Sequence, residues 1–574
     1  MGKCCCLVFI LIVAMVIVGV SIGVPLAVKK AKETANNVKQ GAADAACQAT
    51  SYPATCNQTL AGGNYTADSK GMTKISLMSA DTGVNNTLDY VMFLNGTNPN
   101  VTAAVEVCVE VLGLSQEQIE AAAAALDSLN ATTRQQAMDD IKAWMSAAME
   151  LHTTCIDAFY DVSPGDWQSL QQHSNHTDQL FSNALAFINA MAAYGDDITQ
   201  WKPTGFSLPS SVDLSDLSGL HIPPIPGFGN RRLLSSRSDW VSESDSLPAW
   251  MDTQTQRHLL QTTSYDVVVA QDGTGNFKTI QAAVDAHKVN NQRLVIYVKA
   301  GIYNEQVTVP KKAKFLTIIG DGDSTVITGS RNVALMKGMT TFKSATLIVQ
   351  GEGFIGKSFR VENTAGAAGH QACAYRGTAD KLAFQSVTFD SFQDTLYAHS
   401  FRQFFRECTI RGTVDFMFGN AAASFQNCNI VAKKTTLLGQ QNTYSAQGRT
   451  DPHQSTGLAY QNCTFDGEAA LKSNTTYYKT FLGRPWKAYS VCVIMKSQLM
   501  AHIDPTGWLP WNASTFGLYT SYFAEYANTG AGSSLNQRVT WSHPITSASI
   551  ANKYQANSFV QASSWVSVPL STTL

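Results

Sequence analysis

The sequence predicts two folds in one chain, an all-α four-helix bundle followed by a right-handed parallel β-helix. Three observations carry this. Residues 41–200 are rich in Ala and place apolar residues at helical spacing, as in 116–129 and 135–159. From residue 261 onward the period shortens to alternating segments such as LVIYV, FLTIIG, SFRVEN, AFQSVTF, FFRECTI, SFQNCNI, AYQNCTF and VCVIM. Several segments share one phase, with an inward apolar pair at Phe359/Val361, Val387/Phe389, Cys408/Ile410, Cys428/Ile430, Cys463/Phe465 and Cys492/Ile494. The uneven intervals between these pairs suit solenoid coils of one minimum length with loops of varying size. The lack of helices between strands argues against a doubly wound sheet, and the lack of two-residue hairpin turns against an antiparallel barrel.

The elements follow in order. With 574 residues, 44% hydrophobic and 15% charged, the chain has ample length for two or more cores. Residues 1–40 read as a cytosolic tip and transmembrane signal anchor, because the stretch from Leu7 to Val28 holds no charge and is long enough to cross a bilayer as a helix. A cleaved signal peptide is the rival, although the run exceeds the usual h-region and lacks a small-residue cleavage site. Lys3 precedes the run while Lys29, Lys30 and Lys32 follow it, which counts weakly against a lumenal C-terminus. Cys4, Cys5 and Cys6 are either palmitoylation sites or apolar filler. Ten N-x-[ST] sequons, seven of them before residue 200, favour the secretory pathway over the flanking charges.

Residues 41–200 form the bundle. Its cysteines, Cys47, Cys56, Cys108 and Cys155, allow three pairings, of which the sequential one is the most economical because Cys47 and Cys56 bracket a short Pro-containing turn. Residues 201–260 turn to Ser, Pro, Gly and Asp and read as a linker, with two basic-Leu-Leu tetrapeptides, Arg231–Leu234 and Arg257–Leu260, as protease-processing sites. Residues 261–574 form the β-helix. Within it Cys408, Cys428 and Cys463 fall in one internal ladder, read as containing one disulfide, with a buried stack of small apolar side chains as the alternative.

Charge separates the halves. Residues 1–260 hold 14 Lys+Arg against 25 Asp+Glu and residues 261–574 hold 27 against 18, or −11 and +9. A basic C-terminal half points to a polyanionic partner that an acidic N-terminal half can screen. No zinc-finger spacing, RNA-binding aromatic motif or Lys/Arg run supports nucleic acid as that partner. No C-x-x-C or H-E-x-x-H spacing calls for a metal. Two motifs are decoys. Gly351 to Gly356 matches G-x-G-x-x-G but precedes a strand, so no helix N-terminus awaits a pyrophosphate. Asp81-Thr82-Gly83 resembles an aspartic protease triplet but lies in the helical half without a second copy.

The chemistry concentrates in the β-helix. Asp394 and Asp415 are separated by about one coil, so they share an outer face roughly one strand spacing of about 4.8 Å apart. Gln371 precedes Gln393 by a similar interval and stacks beside it. Paired carboxylates in unlike environments can divide nucleophile from acid/base, whereas a single Asp in a turn is ordinarily just solvated.

These residues lie in GIYNE (301–305), QACAYR (371–376), QDTLY (393–397), VDFMFG (414–419) and LGRPW (482–486), opened by VAQDGTGNFKTIQAAV (269–284). The set resembles the plant pectin methylesterases across 261–574. The helical half, with CQATSYPATC (47–56) and its later Cys pair, resembles the pectin methylesterase inhibitor domain that forms their pro-region. The resemblance implies Asp415 as nucleophile on the C6 methyl ester of galacturonate. Asp394 is then the proton donor to methanol and activator of water, Gln371 and Gln393 hold the oxyanion, and Arg484 orients Asp415. Tyr397, Phe418 and Trp486 are expected against sugar faces, with core packing as the alternative for Phe418; Thr341, Gln371 and Arg484 are further expected substrate contacts. Met417 replaces the family's usual Ile and Cys373 a usual aliphatic residue. The resemblance implies methylesterified homogalacturonan as partner, no cofactor and a monomeric mature domain. It also implies a Golgi-membrane precursor released to the cell wall. A lyase or polygalacturonase lacks its required acidic clusters here, and an inactive wall-binding or inhibitor protein would not need every motif residue.

Overall fold

The computed structural model describes residues 29–30, 39–63, 65–97, 101–160, 162–202, 265–287, 292–437, 439–512 and 514–566. The apolar run Leu7–Val28 and both basic-Leu-Leu tetrapeptides lie outside them. Among the described residues no helix is long and apolar enough to cross a membrane. The chain divides into two compact units.

The first unit is helical. A short helix, Pro53–Gly62, leads into four long ones, Ser69–Thr97, Thr102–Asp127, Arg134–Asp157 and Pro164–Tyr194. Leu77, Val84 and Val91 recur at heptad spacing along the first long helix and are fully buried, as are Val107, Val111 and Leu112 on the second, Ile141, Met145 and Leu151 on the third, and Phe181, Leu185 and Ile188 on the fourth. Cys47 pairs with Cys56, and Cys108 with Cys155. The second bridge ties two adjacent long helices across a sequence separation of 47, a loop whose closure in the unfolded chain corresponds to about 4 kcal/mol of stabilisation.

The second unit is a solenoid of parallel strands in sheets of eleven, seven and eight strands among the described residues, successive coils adding to each sheet in turn. Like residues stack. On the eight-stranded sheet Val361, Phe389, Ile410, Ile430, Phe465 and Leu499 are register neighbours in turn. On the eleven-stranded sheet Phe384, Phe405, Phe425 and Tyr460 do the same, with ring centroids 5.3, 4.7 and 4.8 Å apart. This aromatic column carries much of the core.

Two expectations need correction here. The pair Cys492/Ile494 does not continue the eight-stranded ladder; it belongs to the eleven-stranded sheet, where it faces Leu458 and Tyr460. Both sheets show the same alternation of inward apolar residues, so period alone cannot tell them apart. The expected disulfide is also absent, since Cys408, Cys428 and Cys463 are free thiols. Residues stacked in parallel register have parallel Cα–Cβ bonds, whereas a disulfide needs the two Cβ atoms to converge. Each thiol instead donates weakly to a carbonyl, of Phe384, Phe405 and Phe425 at 3.7, 3.6 and 3.5 Å.

The corners are tight. Where the chain leaves the eleven-stranded sheet a single residue takes a left-handed backbone on coil after coil: Ser358, Ser386, Glu407, Asn427, Asn462 and Lys496, with φ between 46° and 55°. A non-glycine residue there costs about 1 kcal/mol or more, which the flanking ladders offset. A second left-handed corner leads into the seven-stranded sheet, and it forms the site.

Candidate active site

Asp394 and Asp415 occupy that corner on adjacent coils, with φ of 64° and 49°. Each follows a strand of the eight-stranded sheet, Thr388–Asp390 or Thr409–Gly412, and precedes one of the seven-stranded sheet, Leu396–Ala398 or Met417–Gly419. The Asp394 amide donates to the Val414 carbonyl at 3.1 Å, and that of Leu396 to Phe416 at 2.8 Å, which fixes the coil-to-coil register. Asp394 and Asp415 are largely buried, at 7% and 5% exposure.

Gln371 and Gln393 form a parallel bridge at the coils before these aspartates, and the Ala372 amide donates to the Gln393 carbonyl at 3.2 Å. Both glutamines are half-buried. Asp415 is held by Arg484 through a fork, Nε to Oδ1 at 2.8 Å and Nη2 to Oδ2 at 2.6 Å. Burial opposes the Arg484 charge, but the charge and hydrogen bonds of Asp415, with the charge of Asp394, outweigh it and hold the guanidinium above its ordinary value. The Arg484 guanidinium also lies over the Trp511 ring, 4.5 Å from its centroid.

Beside the carboxylates runs an aromatic wall. Tyr397 stacks on Phe418 at 4.2 Å, and Phe418 meets Trp486 edge-on at 6.0 Å. Tyr397 and Phe418 are each only 4% exposed, whereas Trp486 is half-buried. Two glycines make this wall possible. A Cβ at Gly419, where φ is 120°, would meet the Ala398 carbonyl oxygen, and one at Gly448 would lie 2.7 Å from the Trp486 ring. Thr341 sits on the Gln371 side, its carbonyl accepting from the Cys373 thiol at 3.8 Å. Cys373 is free and buried, and burial pushes its thiol well up, with Asp394 adding to the effect.

Two residues that contact the site's side chains, Trp511 against Arg484 and Thr443 against Asp415, escaped the sequence reading. Trp511 follows the last motif on a loop with no periodicity to mark it. Thr443 lies on the coil after Asp415, and the coil-to-coil stacking rule was the signal that could have found it, had a loop not lengthened that coil.

The pectinesterase family model matches residues 266–563. This chain belongs to the pectinesterase family. A second family, described as plant invertase/pectin methylesterase inhibitor, matches residues 41–187, within the helical unit. Among relatives, the chain is 38% identical to Pectinesterase 3 of Citrus sinensis over 94% of this chain and 89% of that one. It is 37% identical to a pectinesterase/pectinesterase inhibitor of Ficus pumila var. awkeotsang over 82% and 79%. A solved structure, pectin methylesterase from carrot, is 45% identical with a TM-score of 0.53, covering 55% of this chain and 99% of the carrot chain. As a pectinesterase the chain is a carboxylic ester hydrolase.

Proposed function

We propose that the site demethylates pectin through a covalent intermediate on Asp415. One observation carries the reading: the Asp415 carboxylate is gripped by a bidentate arginine at the coil corner, next to Asp394 and a pair of bridged glutamines. The carboxylate of Asp415 attacks the C6 carbonyl carbon of a methylesterified galacturonate. The negative charge moves to the carbonyl oxygen, where the side-chain N–H groups of Gln371 and Gln393 receive it. Collapse of the tetrahedral species breaks the C–OMe bond, and Asp394 gives its proton to the departing methoxide, releasing methanol and leaving an acyl-enzyme. Asp394, now a carboxylate, takes a proton from water and is restored to its acid form; the hydroxide attacks the acyl carbon and the bond to Asp415 breaks, freeing the Asp415 carboxylate and a galacturonic acid group that gives its proton to solvent. Thr341, Tyr397, Phe418 and Trp486 shape the groove in which the sugar lies.

The inhibitor-like helical unit restrains the esterase until the 201–260 linker is cut at Arg231–Leu234 or Arg257–Leu260, and the enzyme then works in the cell wall, outside the plasma membrane. The Leu7–Val28 segment tethers the precursor to a Golgi membrane on the way, and the sequons carry glycans. The mature domain acts as a monomer. The test is methanol release from highly methylesterified pectin with chain length followed in parallel. Methanol without shortening is expected; shortening without methanol would overturn the assignment.

A further inference from the structure

The Thr443 hydroxyl makes two bonds to one residue. Its Oγ1 accepts from the Asp415 backbone N–H at 2.8 Å and donates to Asp415 Oδ1 at 2.6 Å. Thr443 is itself fixed by the coil ladder, its amide donating to the Thr413 carbonyl at 3.0 Å and its carbonyl accepting from the Phe416 amide at 3.4 Å. It is 1% exposed, and a β-branched side chain has few rotamers to choose from. The hydroxyl therefore clips the side chain of Asp415 to its own left-handed backbone.

The clip also makes the two carboxylate oxygens unequal. Each has two in-plane lone-pair directions. Oδ1 takes Arg484 Nε and the Thr443 hydroxyl, and Oδ2 takes Arg484 Nη2. We infer that Thr443 is the positioning residue for the nucleophile and that Oδ2, which keeps an uncommitted lone pair among the described residues, is the atom that bonds the ester carbon. The inference rests on the reading of Asp415 given under Proposed function. In the step itself an Oδ2 lone pair forms the C–O bond, the carbonyl π pair moves to oxygen, and that charge later leaves with the methoxide that Asp394 protonates.

The experiment compares Thr443→Val, Thr443→Ser and Asp415→Asn in the full chain, with methanol release resolved into kcat and KM. Thr443→Val keeps the shape but removes the clip, so kcat should fall about 10²-fold with KM held within about twofold. Thr443→Ser restores the hydroxyl and should recover wild-type kcat to within about threefold. Wild-type turnover in Thr443→Val, alongside an inactive Asp415→Asn, overturns the positioning role and leaves the esterase reading standing. Full activity in Asp415→Asn overturns that reading instead. If Thr443→Val melts below the assay temperature, Thr443→Cys is set against Thr443→Ser: a weak thiol donor should turn over about tenfold more slowly, and equal rates would overturn the role.

Discussion

Inside the solenoid Cys408, Cys428 and Cys463 stand one coil apart at the head of successive strands, and at the outer corner Asp394, Asp415 and Thr443 do the same. The stacking geometry is one, and the outcome is opposite. In the inner column the side chains are alike, dry and satisfied by backbone carbonyls; burial, followed by the neighbouring thiols, pushes the Cys428 thiol far above its ordinary value and keeps it protonated. In the outer column the side chains differ from coil to coil, so neighbours bond each other: a hydroxyl on one coil steers a carboxylate on the next. A repetitive scaffold becomes a candidate site where stacked residues stop being alike.

That contrast can be broken from the outer side first. Gln393→Leu removes one proposed oxyanion donor and should lower kcat about 10²- to 10³-fold, measured as methanol release, with little change in melting temperature. Retention of wild-type kcat would put the oxyanion site elsewhere.

On the inner side, effects should register as stability and leave chemistry alone. His502 is buried with Nε2 2.8 Å from the Tyr444 hydroxyl, whose own proton goes to the Asp466 carbonyl at 2.6 Å, so the ring donates through Nε2 and its Nδ1 has no partner among the described residues. Protonation would charge that buried nitrogen, and burial lowers the His502 value from 6.5 to about 4. The unfolded chain then takes up the proton first as pH falls. Stability is full above about pH 6.5 and drops toward pH 4, by up to about 3 kcal/mol. His502→Gln should flatten the slope of denaturant stability against pH over that window; an unchanged slope would contradict this.

The smallest effect belongs to the thiol column. Cys428→Ala should cost about 1 kcal/mol in chemical denaturation and leave kcat unchanged. Iodoacetamide should label Cys408, Cys428 and Cys463 only after unfolding, as read by mass spectrometry. A large loss of kcat in Cys428→Ala would erase the distinction between the columns.

Much of this was legible in advance because a period-2 pattern at coil-length intervals survives in sequence, and so did the neighbourhood of Asp394, Asp415, Gln371 and Gln393. What failed did so for physical reasons. Cys492/Ile494 shares the phase of the other pairs yet stacks on a different sheet, because every inward face of a coil demands the same side chains. The thiols were overread as a bridge because co-location in a ladder says nothing of Cβ direction. Thr443 was missed because a loop stretches its coil beyond the Asp394-to-Asp415 interval and hides the register. The shared outer face of Asp394 and Asp415 follows from the one-coil interval, but their depth of burial does not, because the interval fixes register and says nothing of how much neighbouring chain covers the corner.

The central claim, that Asp415 carries the acyl group, is tested most directly by Asp415→Asn. The substitution keeps the size of the side chain and an oxygen for Arg484 but removes the nucleophilic charge. Methanol release should fall by about 10⁴-fold or more while the protein stays folded; release at the wild-type rate would contradict the account.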